Sequence, residues 1–138
     1  MPCYQLLGPS NLVQDIDFVG EPVKAAGWFG MPEGLHTVAM CVNNFTGRVF
    51  IEGSLAMDPC CTEWFPIKVT SCDYVEFPLL KDSPNSMYSG DTITTSFTFR
   101  SNILWLRVRV WRSYFLTQAD MDNPQYQYGS ISQILVGY

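Results

Sequence analysis

The sequence has few charged residues, and basic ones are the scarcer kind. Charged residues make up 15% of the 138 residues, against about 25% in an average soluble domain. Eight Lys and Arg against 13 Asp and Glu give a formal net charge of −5. A broad electropositive surface that could collect phosphate groups is therefore not expected, and no nucleic-acid partner is predicted.

The low charge also bears on the surface of the folded chain. A free monomer keeps its surface charged and free of large apolar patches, whereas 47% of this sequence is hydrophobic and 14% is aromatic. We therefore expect partners to cover part of the surface. The alternative is a monomer whose surface is coated with Ser, Thr, Asn, Gln and Tyr in place of charges.

Histidine and regularly spaced cysteine are also scarce. The one histidine is His36, and no C-x-x-C pair occurs, so the ligand set for zinc is poor. Glycine-rich phosphate-binding loops are missing too. The cysteines are odd in number and include an adjacent pair, unlike the disulfide framework of a small secreted protein: Cys3, Cys41, Cys60, Cys61 and Cys72. The sequence predicts reduced thiols, no metal and no cofactor.

Long apolar runs are absent. No run approaches the roughly 20 residues of a membrane-spanning helix. Residues Met1 to Leu12 lack the basic start and apolar middle of a signal peptide. We therefore predict synthesis in the cytoplasm and no membrane insertion.

Helical periodicity is missing apart from a short turn around Thr117 to Met121, whereas period-two patterns are frequent. The clearest strand is Asp91 to Arg100, in which one alternating set is predicted to face the core: Ile93, Thr95, Phe97 and Phe99. In Ile103 to Arg112 both faces carry bulky groups, with Leu104, Leu106, Val108 and Val110 opposite Trp105, Arg107, Arg109 and Trp111.

Two further strands are predicted at Leu35 to Val42 and at Arg48 to Leu55, joined as a hairpin by a turn at Asn43 to Gly47. In the later strand, one side is predicted to carry Val49, Ile51 and Leu55 and the other Arg48, Glu52 and Ser54. The remaining candidates are Asn11 to Val19, Glu63 to Thr70, Asp73 to Phe77 and Ser130 to Tyr138. Seven or eight short strands separated by turns predict an all-β fold, a single-domain antiparallel β-sandwich of jelly-roll type over residues 1–138.

Catalytic motifs are missing. Nucleophilic catalysis needs a base, and His36 is flanked by Leu35 and Thr37 inside a predicted strand, as a packed residue would be. No G-x-S-x-G elbow occurs. The 13 carboxylates offer many pairs for glycoside hydrolysis, but none is singled out, and a hydrolase would need two of them facing each other in a cleft. We predict that the chain is not an enzyme.

The main candidate contact surface is the stripe Trp105, Arg107, Arg109 and Trp111. Trp and Arg are the residue types that dominate interface energetics, and Trp rings can also stack on sugars. The alternative is internal packing, with the tryptophans under loops and the arginines paired to Glu52 or another acid.

A second candidate is the polar segment Ser113 to Tyr128, in which Tyr126 and Tyr128 could make adaptable contacts. Long ordered loops are often functional, so this segment is predicted as an arm or a groove wall. The alternative is an ordinary crossover between the sheets.

Several short segments follow a shared plan of strand and turn motifs. Between Leu35 and Pro66 a strand ends in N-F-T-G, a V-F-I-E-G strand follows, and a segment containing D-P and W-F-P closes the unit. Phe97 to Arg109 has a strand, a turn and a strand with a W-L-R motif, and Ser130 to Tyr138 has the pattern of a terminal strand. Together these segments resemble small virion structural proteins of tailed bacteriophages, including those infecting cyanobacteria.

The resemblance implies a jelly-roll or galactose-binding-like sandwich used in capsid decoration, neck, tail or fibre. The expected function is that of a noncatalytic virion protein, made in the host cytoplasm, whose partners are itself and other virion proteins. Such folds also host carbohydrate-binding modules, so recognition of a host surface glycan is the alternative function.

Overall fold

The computed structural model describes residues 3–7, 17–31, 33–60, 62–70, 72–77, 91–112 and 130–138. Within these ranges the chain forms antiparallel strands and no helix, which confirms the all-β prediction. The strands are β1 (Cys3–Leu7), β2 (Phe18–Val19), β3 (Val23–Lys24), β4 (Leu35–Phe45), β5 (Gly47–Ser54), β6 (Phe65–Pro66), β7 (Val75–Phe77), β8 (Asp91–Arg100), β9 (Trp105–Trp111) and β10 (Ser130–Gly137). The described residues include no helix long and apolar enough to cross a lipid bilayer.

The strands form two sheets. Sheet A has the order β1-β10-β4-β8. In sheet B the centre is the pair β5 and β9, with β2 and β3 both on the outer edge of β9 and β6 and β7 both on the outer edge of β5. The structure thus describes ten strands where seven or eight were predicted, because two positions in sheet B each hold two very short strands.

One hydrophobic core lies between the sheets, as expected for a sandwich. Strands β4 and β10 contribute alternate side chains from sheet A, and β5 and β9 contribute theirs from sheet B. Its fully buried members include Val38, Met40, Ile131, Ile134, Ile51, Leu106 and Val108. The opposite faces of β5 and β9 point away from this core, and this orientation positions the candidate site.

The predicted hairpin at Asn43 to Gly47 is wrong. Strand β4 continues to Phe45, and the chain then passes through Thr46 directly into β5, which belongs to the other sheet. The Phe45 ring is buried at the corner, 5.6 Å from the ring of Phe77. Gly47 has a φ of +146°, which few other residues adopt. We therefore attribute the corner to burial of the Phe45 ring in the core and to the backbone conformation that Gly47 permits.

Other predicted strand boundaries also need correction. Within Glu63 to Thr70 only Phe65–Pro66 is a strand, and within Asp73 to Phe77 only Val75–Phe77 is. Of Asn11 to Val19, the structure describes residues 17–19, and the turn predicted at Thr117 to Met121 lies outside the described residues. Strands β1 and β3 were not predicted. Runs of two to five residues are too short to show a period, so sequence patterning misses or misplaces them.

Two side chains on the apolar sides of predicted strands are exposed. Leu55 is 65% exposed because β5 ends at Ser54 and the alternation stops there. Ile93 lies on the inward side of β8 but is 42% exposed, near the start of a strand that is at the edge of sheet A among the described strands.

Candidate interaction face

The outward face of sheet B carries the predicted stripe. Along β9, Leu106, Val108 and Val110 are buried, and the residues between them are partly exposed. Period two places the alternate set on the opposite side, as predicted from the sequence: Trp105, Arg107, Arg109 and Trp111.

A carboxylate from the neighbouring strand links the two arginines. Glu52 of β5 lies opposite Arg107, and its side chain is 8% exposed. Arg107 Nε donates to Glu52 Oε1 at 2.8 Å, and Arg109 Nε donates to Oε2 at 3.2 Å. Because one carboxylate pairs two guanidinium groups, the triad keeps one positive charge and holds both arginines in place.

The same two arginines lie over aromatic rings. The Arg107 guanidinium is 4.3 Å from the ring centre of Trp64, and that of Arg109 is 3.9 Å from the ring centre of Phe50. Such cation–π contacts strengthen when the groups are partly removed from water. The two arginine side chains nevertheless remain 19% and 34% exposed. The arginines are thus paired with an acid, as the internal-packing alternative predicted, and are still accessible at the surface.

Arg48 forms a second cluster at the other end of the face. Its guanidinium lies 4.4 Å from the ring centre of Tyr74 and 5.4 Å from that of Trp111. Its Nε donates to Glu76 Oε1 at 3.4 Å. The cluster repeats the plan of the first, a cation between an acid and aromatic rings.

Trp105 belongs to a third cluster. Its ring packs against Trp28 with centroids 5.2 Å apart, and its indole N–H donates to the carbonyl of Met57 at 3.2 Å. The ammonium of Lys24 lies 4.7 Å from the Trp28 ring centre. Trp28 lies in the loop after β3 and Met57 in the loop after β5, so both loops contact the stripe through Trp105.

We call this surface the Trp–Arg face. It holds all four tryptophans of the chain and half of its eight basic residues. Its members are Lys24, Trp28, Arg48, Phe50, Glu52, Trp64, Tyr74, Glu76, Trp105, Arg107, Arg109 and Trp111. Four basic and two acidic side chains give the face a formal charge of +2. Because the net charge of the chain is −5, all other residues together carry −7.

A cleft of about 310 Å³ adjoins the face where β2 meets β9. Its walls combine aromatic, aliphatic and charged groups, and two of the stripe residues contribute to them. The lining residues are Asp17, Phe18, Val19, Arg109, Val110 and Trp111. The volume is at the lower end of the range for small-molecule sites.

His36 lies away from this face, on the inward side of β4. It is buried, its Nε2 accepts the backbone N–H of Ala26 at 3.1 Å, and its Nδ1 donates to the carbonyl of Gly34 at 2.8 Å. The ring of Phe99 stacks on it at 4.9 Å. Both ring nitrogens are thus engaged with backbone groups, as in the packed role expected from the sequence.

Within the described ranges, no three His, Cys, Asp or Glu side chains lie close enough together to hold a metal ion. The predicted contact residues Tyr126 and Tyr128, with the whole segment Ser113 to Tyr128, lie outside the described residues.

Sequence reasoning missed most partners of the stripe. Phe50, Trp64 and Tyr74 contact the arginines, and Trp28 contacts Lys24 and Trp105. All four come from other strands or from loops, so these contacts depend on how the elements align in the fold. The alternation within a single strand carries no signal for these contacts. Glu52 was considered as an acid for the arginines, and the structure places it there.

Comparisons with models of protein families, with curated proteins and with solved structures found no match for this chain.

Proposed function

We propose that the chain is a noncatalytic assembly module that binds another protein through the Trp–Arg face. The observation that carries this proposal is the gathering of every tryptophan and half of the basic residues on one partly exposed sheet face. Trp, Tyr and Arg are the residues most enriched at the centres of protein interfaces. The surface therefore has the composition of a contact site rather than that of an ordinary solvated face.

The face is also held in one arrangement before any partner arrives. Glu52 fixes two of the arginines, and Glu76 and two rings surround Arg48. Ordering a long flexible side chain on binding costs about 0.5–1.5 kcal/mol, and most of that cost is avoided here. The positive charge of the face favours a partner with an acidic surface.

The strand pairing supports a jelly-roll type of sandwich. β2 and β3 share one position in sheet B, and β6 and β7 share another, so the ten described strands occupy eight positions in chain order. The first position pairs with the eighth, the second with the seventh, the third with the sixth and the fourth with the fifth. This nested antiparallel pairing follows from folding one long hairpin over on itself into two sheets.

The proposed location is the virion of a tailed phage, as a capsid decoration, neck, tail or fibre protein made in the host cytoplasm. This proposed location rests on the sequence resemblance, and the all-β fold is compatible with it. The test is mass spectrometry of particles purified from the virus that encodes the chain. We expect the chain at a fixed copy number per particle, and its absence from washed particles would contradict the proposal.

The contact itself is tested with matched aromatic variants. Trp105→Ala removes a ring from the face, whereas Phe29→Ala removes a 49% exposed ring that contacts Tyr4 and Tyr138 instead. We expect the Trp105 variant to lose incorporation into particles while the Phe29 variant keeps it. Equal incorporation of both folded variants would remove the face from the contact.

Glycan recognition is the alternative function, and the cleft beside Arg109 and Trp111 favours it. An aromatic ring can stack on a sugar while a guanidinium donates to its hydroxyls. Glycan-array binding that is lost in a folded Trp111→Ala variant would support this alternative over protein assembly. An array without signal for the unaltered chain would dismiss it.

A further inference from the structure

The edges of the two sheets differ in how well they are protected. Of the described edge strands, β1 has five residues and an irregular register between Gln5 and Leu7. The edge of β2 and β3 is interrupted by Glu21 and Pro22, and the edge of β6 and β7 contains Pro66. Short strands, irregular pairing and proline are the usual devices that prevent edge-to-edge association.

Strand β8 has none of these devices. It has ten residues and pairs with β4 in unbroken register from Leu35 to Val42, and of the described strands only β4 pairs with it. Between Asp91 and Arg100 it contains no proline, no glycine and no charged residue. A long, regular, uncharged edge is a template for pairing with another strand.

The inward side of β8 is also incompletely covered. Phe99 is buried, Phe97 is half-buried and Ile93 is 42% exposed, although Ile93 lies opposite the buried Val42 of β4. An inward-facing isoleucine near the start of β8 is therefore in contact with water. An additional strand beside β8 would cover it.

We propose that β8 pairs antiparallel with β8 of a second copy, about a two-fold axis that passes between the two Thr95 residues. Directly opposite residues of an antiparallel pair lie on the same face, so this register sets Ile93 against Phe97 of the second copy on the inward side. On the outward side it sets Thr92 against Thr98 and Thr94 against Ser96. Aromatic with β-branched and hydroxyl with hydroxyl are favourable cross-strand pairs.

This self-complementarity is what identifies the second copy as the occupant. From Thr92 to Thr98 the order of hydroxyl and apolar residues reads alike in both directions, so two identical strands match there without a like-charge contact. The resulting contact is isologous and closes as a dimer, with sheet A continuous across both copies. The inference rests on the proposed assembly function and names one partner for it, but it uses a surface different from the Trp–Arg face.

The test is size-exclusion chromatography with light scattering on the full chain and on charge variants of β8. The unaltered chain is expected at twice its 15.6 kDa mass. The double variant Thr94→Lys with Ser96→Lys sets lysine against lysine and is expected at the monomer mass. Thr94→Lys with Ser96→Glu sets lysine against glutamate and is expected to restore the dimer.

The matched control is Gln5→Lys, which adds a charge to an exposed position on the opposite edge of the same sheet and is expected to leave the dimer intact. A second readout does not depend on charge: Thr95→Cys is expected to form a disulfide between copies on oxidation, located by peptide mapping, and Ser132→Cys is not. A monomeric unaltered chain, or a dimer that survives the lysine pair, overturns the proposal. Trp105→Ala is expected to keep the dimer, so failure of the two proposals can be told apart.

Discussion

His36 links the loop between β3 and β4 to the core through hydrogen bonds of both its ring nitrogens. Its Nε2 accepts the N–H of Ala26, so the proton of the neutral ring lies on Nδ1, which donates to Gly34. A second proton on Nε2 would point at the N–H of Ala26 and break that bond. The buried site therefore requires the neutral ring.

This requirement makes the stability of the fold depend on pH. Burial lowers the pKa of His36 from its ordinary value of 6.5, against a smaller opposing effect of the hydrogen bond to Gly34. The unfolded chain thus binds more protons than the folded chain just below pH 6.5, and the free energy of unfolding falls as the pH drops through that region. Denaturant melts at a series of pH values measure this fall. In His36→Gln the part of the fall due to this group is expected to vanish, and identical pH profiles for both chains would contradict the assignment.

Gly47 tests the corner between β4 and β5. A Cβ there would lie 2.7 Å from Cγ of the buried Arg112, at a φ of +146°. Gly47→Ala is expected to lower the free energy of unfolding by about 1–3 kcal/mol from backbone strain alone, and by more because of the overlap.

Gly30→Ala is the matched control for this substitution. Gly30 has a φ of +70°, but nothing lies within 4 Å of an added Cβ. It is expected to lose only the strain of about 1–2 kcal/mol. Thermal or denaturant unfolding of the two variants separates strain from overlap, and an equal loss in both would show that Arg112 moves aside at no cost.

At the scale of elements, one carboxylate between two guanidinium groups links β5 to β9 on the outward face of sheet B. Glu52→Gln keeps the shape of the side chain but leaves Arg107 and Arg109 with like charge and weaker acceptors. Because both arginines are partly exposed, solvent screens them, and we expect a loss of about 1–2 kcal/mol in the free energy of unfolding. Glu76→Gln, whose partner Arg48 lies at 3.4 Å on the same face, is expected to lose less than about 1 kcal/mol. The reverse order in denaturant melts would contradict this account of the face.

The elements also show what the sequence could predict. Strand β8 was predicted with its observed bounds, and β9 within two residues, because ten residues of alternation fix both the strand and its faces. The outward stripe on β9 followed from the same alternation. The side chains around the stripe could not be predicted in this way. The contact of Arg107 with Trp64 depends on how β5, β6 and β9 align, and register is a property of the folded sheet.

The corner at Phe45 shows the opposite case, in which a local signal was outweighed. Asn and Gly favour a hairpin turn, yet burial of the Phe45 ring against Phe77 extends β4 and sends the chain to the other sheet. A fully buried phenylalanine contributes about 1.5–3 kcal/mol, which exceeds a turn preference. Tertiary packing of this kind cannot be read from the residues of the turn.

At the scale of the whole molecule, charge is distributed unevenly. The Trp–Arg face carries +2 in a chain of net charge −5, so the rest of the chain is strongly acidic. Two copies joined through β8 bring two negative molecules together across a contact made of hydroxyl and apolar groups. A partner on the Trp–Arg face meets the positive part of the molecule instead.

The two proposed contacts should therefore respond to salt in opposite directions. Ions screen the repulsion between two copies of net charge −5, so the β8 dimer is expected to tighten as salt is raised at neutral pH. Ions also screen the attraction between the basic face and an acidic partner, so binding to particles is expected to weaken. Sedimentation velocity of the chain alone and co-sedimentation with particles measure the two responses in the same buffers. A dimer that dissociates in high salt would mean that charge attraction holds it together, and β8, whose only charges stand at its two ends, could not then be the surface that joins the copies.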